Sequence, residues 1–294
     1  MERRERAVRA GDGRTLHFYE AGDLDGPVVF EMHGTPGCGL IRDEMAEDAF
    51  IRGLRLVSHD RPGYAGSTRL PGRRVAHVAS DVAAIADQIG VARFGVSGVS
   101  GGGPHALACA ALLPDRVVAC AAIASPAPYD AEGLDWEEGM GEMNSVELEI
   151  LAQGTDAHIA WLKEQGEGML AGGPDDLQTG LETVLSDVDR AALTHELAVD
   201  LFTSVSRGLE PGVEGWHDES VSSFEPWDVD LASISLPVRI RHGEQDRFVP
   251  VSHGHWLAAR IPGVDARFSP EHGHVSLIEA SAPEVHAWMA EMLA

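Results

Sequence analysis

Lysine is almost absent from this chain of 294 residues: of its 22 basic residues only Lys163 is a lysine, the rest being arginine. Against them stand 47 acids, a formal net charge of −25 with histidine neutral. So little positive charge leaves no basic face for a phosphate backbone, which binds proteins through released counterions, and it disfavours anionic membrane surfaces as well. Neither nucleic acid nor membrane is an expected partner. Long apolar runs are missing too. The one long uncharged stretch, Phe94 to Pro114, holds five glycines and two prolines, and its continuous apolar run, Ala106 to Leu113, is too short to cross a bilayer. Cysteine is scarce: Cys38, Cys109 and Cys120 form no C-x-x-C pair and read as small buried hydrophobes in a reducing compartment. The arginine-rich Met1 to Arg9 runs straight into Ala10-Gly11-Asp12-Gly13 with no apolar segment of a secretory signal, so a cytoplasmic location is expected.

With 44% apolar and 23% charged residues the composition is that of a folded domain. Short runs rich in Val, Ile and Phe alternate with stretches of helical period, the pattern of βα units feeding a mostly parallel sheet. Strands are expected at Val8 to Ala10, Leu16 to Tyr19, Val28 to Met32, Leu54 to Ser58, Phe94 to Ser97, Val117 to Ala124, Val238 to His242 and Ala266 to Ser269. The first two read as an antiparallel edge hairpin turning through Gly11-Asp12-Gly13. Helices are expected at Val75 to Ile89, Gly101 to Leu113, Ser252 to Ile261 and Pro283 to Leu293. The alternation stops after Ala124 and resumes at Leu236-Pro237. This divides the chain into a core of 1–125 and 236–294 and a mainly helical cap insertion over 126–235. From Asp130 to Asp230 there are 25 acids and three bases (Lys163, Arg190 and Arg207), leaving 22 acids and 19 bases elsewhere. The same segment carries Trp136, Trp161, Trp216 and Trp227, candidate walls of a substrate pocket. An apolar, electronegative lid would disfavour anionic substrates, whereas an acidic surface over an aromatic core would have no such role.

Gly98-Val99-Ser100-Gly101-Gly102 matches G-x-S-x-G, with a β-rich run directly before it and a helix former directly after. A tight strand-to-helix turn exposes a serine hydroxyl at the sheet's carboxyl edge, and the helix N-terminus aims N–H groups at any anion formed beside it. A serine needs a base, and two later loops at the same edge supply candidates. Gly243-Glu244-Gln245-Asp246 offers Asp246 as the orienting carboxylate, with Glu244 as its alternative. Glu271-His272-Gly273-His274 offers His274 as the base, with His272 as its alternative. A tetrahedral oxyanion needs two backbone donors. One is the N–H of Gly101. The other comes from His33-Gly34-Thr35-Pro36-Gly37, where Pro36 cannot donate and the choice narrows to Gly34 or Thr35.

At these residues, together with Asp60-Arg61-Pro62-Gly63-Tyr64-Ala65-Gly66-Ser67, the chain resembles the α/β-hydrolase fold superfamily, in its serine-nucleophile branch with a helical cap. The resemblance implies a mostly parallel eight-stranded sheet flanked by helices, a Ser100–His274–Asp246 triad, and a scaffold loop near the site at Asp60 to Ser67. Haloalkane dehalogenases and epoxide hydrolases are similar overall but place aspartate where this chain has Ser100. Proline iminopeptidases are similar in the turn after the third strand and use acidic cap residues to hold a substrate's amino terminus. Here, however, Thr35 replaces a glycine of their turn and Gly101 stands where they have Trp.

The leading expectation is hydrolysis of an ester or other acyl bond of a small, neutral or cationic substrate through an acyl-enzyme. The alternatives are a proline iminopeptidase-like aminopeptidase, a cofactor-free perhydrolase or carbon–carbon bond hydrolase, and a non-catalytic ligand-binding member of the fold. Five histidines, His242, His253, His255, His272 and His274, fall in 33 residues with two H-x-H pairs, a spacing that metal sites on strands use. No third ligand has motif spacing, so no metal and no other cofactor is expected. The expected partners are a small-molecule acyl substrate and, from base rates alone, a second copy of the chain in a homodimer.

Overall fold

The computed structural model describes residues 2–294; Met1, which opens the arginine-rich N-terminus, lies outside the described residues. Strands β1 (Arg4–Arg9) and β2 (Thr15–Gly22) form the expected antiparallel hairpin. β3 (Val28–Met32), β4 (Arg55–His59), β5 (Phe94–Val99), β6 (Val117–Ile123), β7 (Val238–Gly243) and β8 (Asp265–Ser269) complete one eight-stranded sheet in the order β1-β2-β4-β3-β5-β6-β7-β8. β2 also pairs antiparallel with β4, and every pair from β4 to β8 is parallel. β1 starts four residues before the expected Val8, a stretch whose arginines hide a strand from any apolar pattern. It pairs at the edge, where Arg6 reaches Glu20 at 3.2 Å across the ladder, Arg4 meets Glu2 at 2.8 Å and Arg9 donates to the Gly13 carbonyl at 2.7 Å.

Helices α1 (Asp43–Ile51), α2 (Val78–Gln88) and α3 (Gly103–Leu112) follow β3, β4 and β5. Between β6 and β7 the chain forms α4 (Glu142–Leu151), α5 (Thr155–Ala171), α6 (Leu177–Gly180), α7 (Asp187–Ala192), α8 (His195–Gly208) and α9 (Glu214–Phe224). α10 (Val251–Ala258) follows β7, and α11 (Val275–Leu293) follows β8. The central strands β3, β5 and β6 are largely apolar on both faces because both are covered. Val28, Phe30 and Met32 of β3 pack with Val82 and Ile85 of α2, Leu107 of α3 and Leu257 of α10. Val29 joins the other cluster with Ala46 and Ala49 of α1 and Leu277, Val285 and Met289 of α11. The apolar clusters of the β6–β7 segment reach into the core as well: Leu185 and Leu197 pack with Val275, and Leu162 and Trp216 with Tyr64.

One helix departs from expectation. α11 begins at Val275 rather than Pro283 and carries that proline within it. A proline inside a helix costs about 3 kcal/mol. Burial of Val275, Leu277 and Ser281 on the N-terminal side offsets that penalty, an effect of packing that local pattern does not reveal.

β3 lies between β4 and β5, so the loops after β3 and β5 leave in opposite directions and open a crevice at the carboxyl edge. There β5 turns into α3 through a 3₁₀ turn, Ser100–Gly102, with Ser100 held at φ 53°. Such a left-handed conformation costs a non-glycine residue about 1–3 kcal/mol and persists because its surroundings fix it. Gly102 presses against the end of β3, where a Cβ would collide with the carbonyls of Met32 and His33. Gly102→Ala is therefore expected to lower stability by about 1–3 kcal/mol in urea denaturation, and an unchanged midpoint would contradict this packing.

Candidate active site

Three carboxyl-edge loops bring Ser100, His274 and Asp246 to one place. Ser100 and His274 line the same cavity, of about 340 Å³. The His274 Nδ1–H donates to Asp246 Oδ2 at 2.7 Å. Asp246 Oδ1 accepts the N–H groups of Phe248 at 2.9 Å and Val249 at 2.8 Å, which fixes the carboxylate in its turn. With Nδ1 occupied, the neutral ring presents Nε2 as an acceptor. Among the described residues no hydrogen bond joins the Ser100 hydroxyl to His274, a contact that often tightens only when substrate is bound. Phe248 stacks on the imidazole, with ring centroids 4.7 Å apart.

Burial alone would push the Asp246 carboxyl up, yet the charge and hydrogen bonds of His274 and His242 bring it down to about 2. Burial likewise opposes the imidazolium of His274, but the Asp246 carboxylate outweighs it and holds the ring's pKa above the ordinary histidine value. Asp246 is thus ionised at any ordinary pH, and His274 becomes a neutral acceptor only as pH rises through its elevated value.

The turn after β3 supplies the third part. Gly34, Thr35 and Gly101 line the cavity beside Ser100, and a Cβ on Gly34 would stand 3.6 Å from that of Ser100. The Arg61 guanidinium holds the turn through its acceptors: it donates to the carbonyls of His33 and of Gly34 (3.2 Å) and to the Thr35 hydroxyl (3.0 Å). Among the described residues no intramolecular partner takes up the Gly34 or Thr35 N–H. Arg61 is itself held from the β6–β7 segment. Its Nε lies 2.8 Å from Glu219 Oε1, while Arg73 reaches Oε2 at 3.0 Å and the His105 Nε2–H donates to Oε1 at 3.1 Å. The loop that contains Arg61 is secured at Asp60, which accepts the N–H groups of Gly39 (2.8 Å) and Gly66 (3.1 Å).

Trp136, Trp161 and Trp216 line the cavity with Met140, Met143 and Phe224. Trp227 does not: it is buried in the main core with Leu231 and Ile234, packing the return of the chain toward β7. The histidines other than His274 in the late cluster have local partners. His242 donates from Nε2 to the Val249 carbonyl (2.7 Å), and His253 bridges the Ala127 N–H and the Trp136 carbonyl. His255 packs on Phe268, and His272 hydrogen-bonds Ser269. The three cysteines are free and buried, and burial raises each thiol's pKa. Sequence reasoning missed Asp189 and Glu219, single acids in a segment full of them. No local signal marks either one for burial.

Glu219 is the tie between that segment and the turn. Burial opposes its charge, but Arg61, Arg73 and His105 hold its carboxyl well below the usual glutamate range. Glu219→Gln, which leaves two buried guanidinium groups short of a counter-charge, is expected to cost about 3–5 kcal/mol at neutral pH by urea denaturation. Because the folded-state pKa is depressed, the stabilisation is present above the ordinary glutamate range and is lost only as pH falls toward the folded value. The deficit of the variant therefore narrows only in strong acid; a difference that vanishes near pH 6 would contradict the assignment.

Comparison with known proteins agrees with this architecture. A family model described as the alpha/beta hydrolase fold matches residues 27–281. A bifunctional esterase/perhydrolase of Acinetobacter calcoaceticus is 27% identical over 261 residues, 83% of each chain. A non-heme haloperoxidase of Rhodococcus erythropolis is 26% identical, with 84% of each chain covered. Among solved structures, an alpha/beta hydrolase fold protein from Nakamurella multipartita superimposes with a TM-score of 0.66 at 25% identity, covering 99% of both chains. From the breadth of the family match and the sheet order it accompanies, this chain belongs to the alpha/beta hydrolase family.

Proposed function

We propose that the protein is a serine hydrolase that cleaves esters of uncharged, predominantly apolar acyl groups through an acyl-enzyme. The observation that carries this reading is the buried His274–Asp246 pair facing the cavity beside Ser100. In this reading Ser100 Oγ attacks the acyl carbon and the Ser100 proton passes to His274 Nε2. The N–H groups of Gly101 and of Thr35 or Gly34 stabilise the oxyanion. As the tetrahedral intermediate collapses, the imidazolium returns the proton to the departing alkoxide. Water then repeats the sequence at the acyl-enzyme, regenerating Ser100. Asp246 holds the tautomer and stabilises the imidazolium throughout.

The substrate class follows from the cavity wall. Of the acids lining it, Glu219 is paired with Arg61 and Arg73 and Glu279 with Arg42, which leaves Glu147, and no lysine or arginine is among the described lining residues. Aromatic and methionine side chains form much of the rest. A carboxylate on the acyl chain would leave water for a site of low dielectric that offers it no cationic side chain, whereas an alkyl or aryl chain meets matching surface. The helices between β6 and β7 supply most of that wall and act as the cap in this proposal.

A second reading is favoured by the relative that is 27% identical and named as an esterase/perhydrolase. Hydrogen peroxide in place of water at the acyl-enzyme would release a peracid and free Ser100. Peracid formation from acetate and peroxide distinguishes the two.

Three outcomes are expected with p-nitrophenyl esters. Ser100→Ala and His274→Ala each lower kcat by at least about a thousandfold with the fold retained, and wild-type turnover in either would sink the triad. The activity of the wild type falls with acidification through a midpoint above the ordinary histidine value, since the base must be neutral; a midpoint below that value would contradict the pairing with Asp246. An acyl chain ending in a free carboxylate is turned over at least about tenfold more slowly than its methyl-ester counterpart, a difference of about 1.4 kcal/mol. Equal rates would refute the apolar wall.

A further inference from the structure

Asp189 lies in α7, within the segment between β6 and β7, and is fully buried. Among the described residues no cation pairs with it. Its partners are instead hydrogen-bond donors, most of them from the start of α11: Oδ2 accepts the N–H of His274 at 2.9 Å, and Oδ1 accepts the N–H of Ser276 at 3.0 Å and its hydroxyl at 2.9 Å. The Ser186 hydroxyl donates to Oδ2 at 2.8 Å and completes the set. A carboxylate placed here caps a 19-residue helix whose first N–H groups have no partner within the helix. The approach is close, for a Cβ on Gly273 would collide with Asp189 Oδ2 and Ser186 Oγ. Glycine before His274 is therefore needed for the carboxylate to reach the backbone.

We propose that Asp189 is a positioning residue for His274, fixing the backbone of the base from the β6–β7 segment and setting a second buried negative charge beside the imidazole. The inference rests on the reading of His274 as the general base. The groups that face the ring are Asp246 from the loop after β7, His242 from β7 and Asp189 from α7, while Glu279, one turn along α11, is paired with Arg42 at 2.8 Å. Asp246 and Asp189 both favour the charged imidazolium against the burial that opposes it. Asp246 holds the ring directly. Asp189 acts through the backbone, so it fixes where the ring starts rather than which nitrogen carries the proton. It also makes the base depend on the same segment that walls the cavity.

The test is Asp189→Asn, which keeps the side chain's shape and removes its charge. In a Ser100→Ala background the His274 ring titration, followed by NMR, is expected to move to lower pH, because a negative charge that favoured the imidazolium is gone. With Ser100 intact, kcat for a p-nitrophenyl ester is expected to fall about tenfold to a hundredfold with KM little changed, as the base loses its alignment. A folded variant with the wild-type titration midpoint and the wild-type kcat overturns the proposal. If Asp189→Asn does not fold, Ser186→Ala decides, since it removes one donor from Oδ2 and keeps the charge. A reduced kcat at unchanged KM supports the role and an unchanged kcat overturns it. His274→Ala run alongside separates the two levels of the argument. Turnover retained in His274→Ala overturns the base itself, while turnover lost there and kept in Asp189→Asn overturns this inference alone.

Discussion

A carboxylate removed from water must be met by donors, and around the cavity of this protein that requirement is imposed three times. Asp246, Asp189 and Glu219 are all buried, and each is satisfied from a different direction. Asp246 binds the imidazole of His274 and two backbone N–H groups of its own turn. Asp189 binds the backbone that carries His274, and Glu219 binds the guanidinium that restrains the turn after β3. Uncompensated, each would cost several kcal/mol, so the donors and the carboxylates must assemble together. Ser100, His274 and the turn after β3 come from separate strands of a parallel sheet, and these three tethers hold their loops in register.

Two of the tethers start in the segment between β6 and β7, which alters the meaning of its charge. The excess of 25 acids over three bases from Asp130 to Asp230 reads in isolation as a solvated face. Part of it is instead paired with core arginines: Asp218 meets Arg69 at 2.6 Å, Glu219 meets Arg61 and Arg73, and Glu225 meets Arg74 at 3.5 Å. The near absence of lysine fits this arrangement, since a guanidinium offers several donors in a fixed plane and can satisfy a carboxylate and carbonyls at once. Arg61 donates to the His33 and Gly34 carbonyls and the Thr35 hydroxyl while its charge pairs with Glu219.

The parts of the site that depend on neighbours in sequence are legible in the amino-acid order alone. The elbow at Ser100 is a strand, a small-residue turn and a helix in immediate succession, and the loops of Asp246 and His274 follow readable strands. The pieces that depend on distant neighbours are not legible in this way. Nothing near Asp189 or Glu219 distinguishes it from the acids around it, because burial is decided by Ser276 in one case and Arg61 in the other, each far along the chain. For the same reason Trp227 reads as a pocket wall from sequence, although its surroundings belong to the main core. The start of α11 is hidden too, because the local cost of Pro283 is visible and the packing that offsets it is not.

The central claim, that the buried His274–Asp246 pair activates Ser100, is tested most directly by intact mass after exposure to a fluorophosphonate, with the labelled peptide then located. The account predicts a single stoichiometric adduct on Ser100, formed slowly at acidic pH and faster as His274 loses its proton. Folded protein that takes up no adduct, or takes it up at another residue, would contradict it.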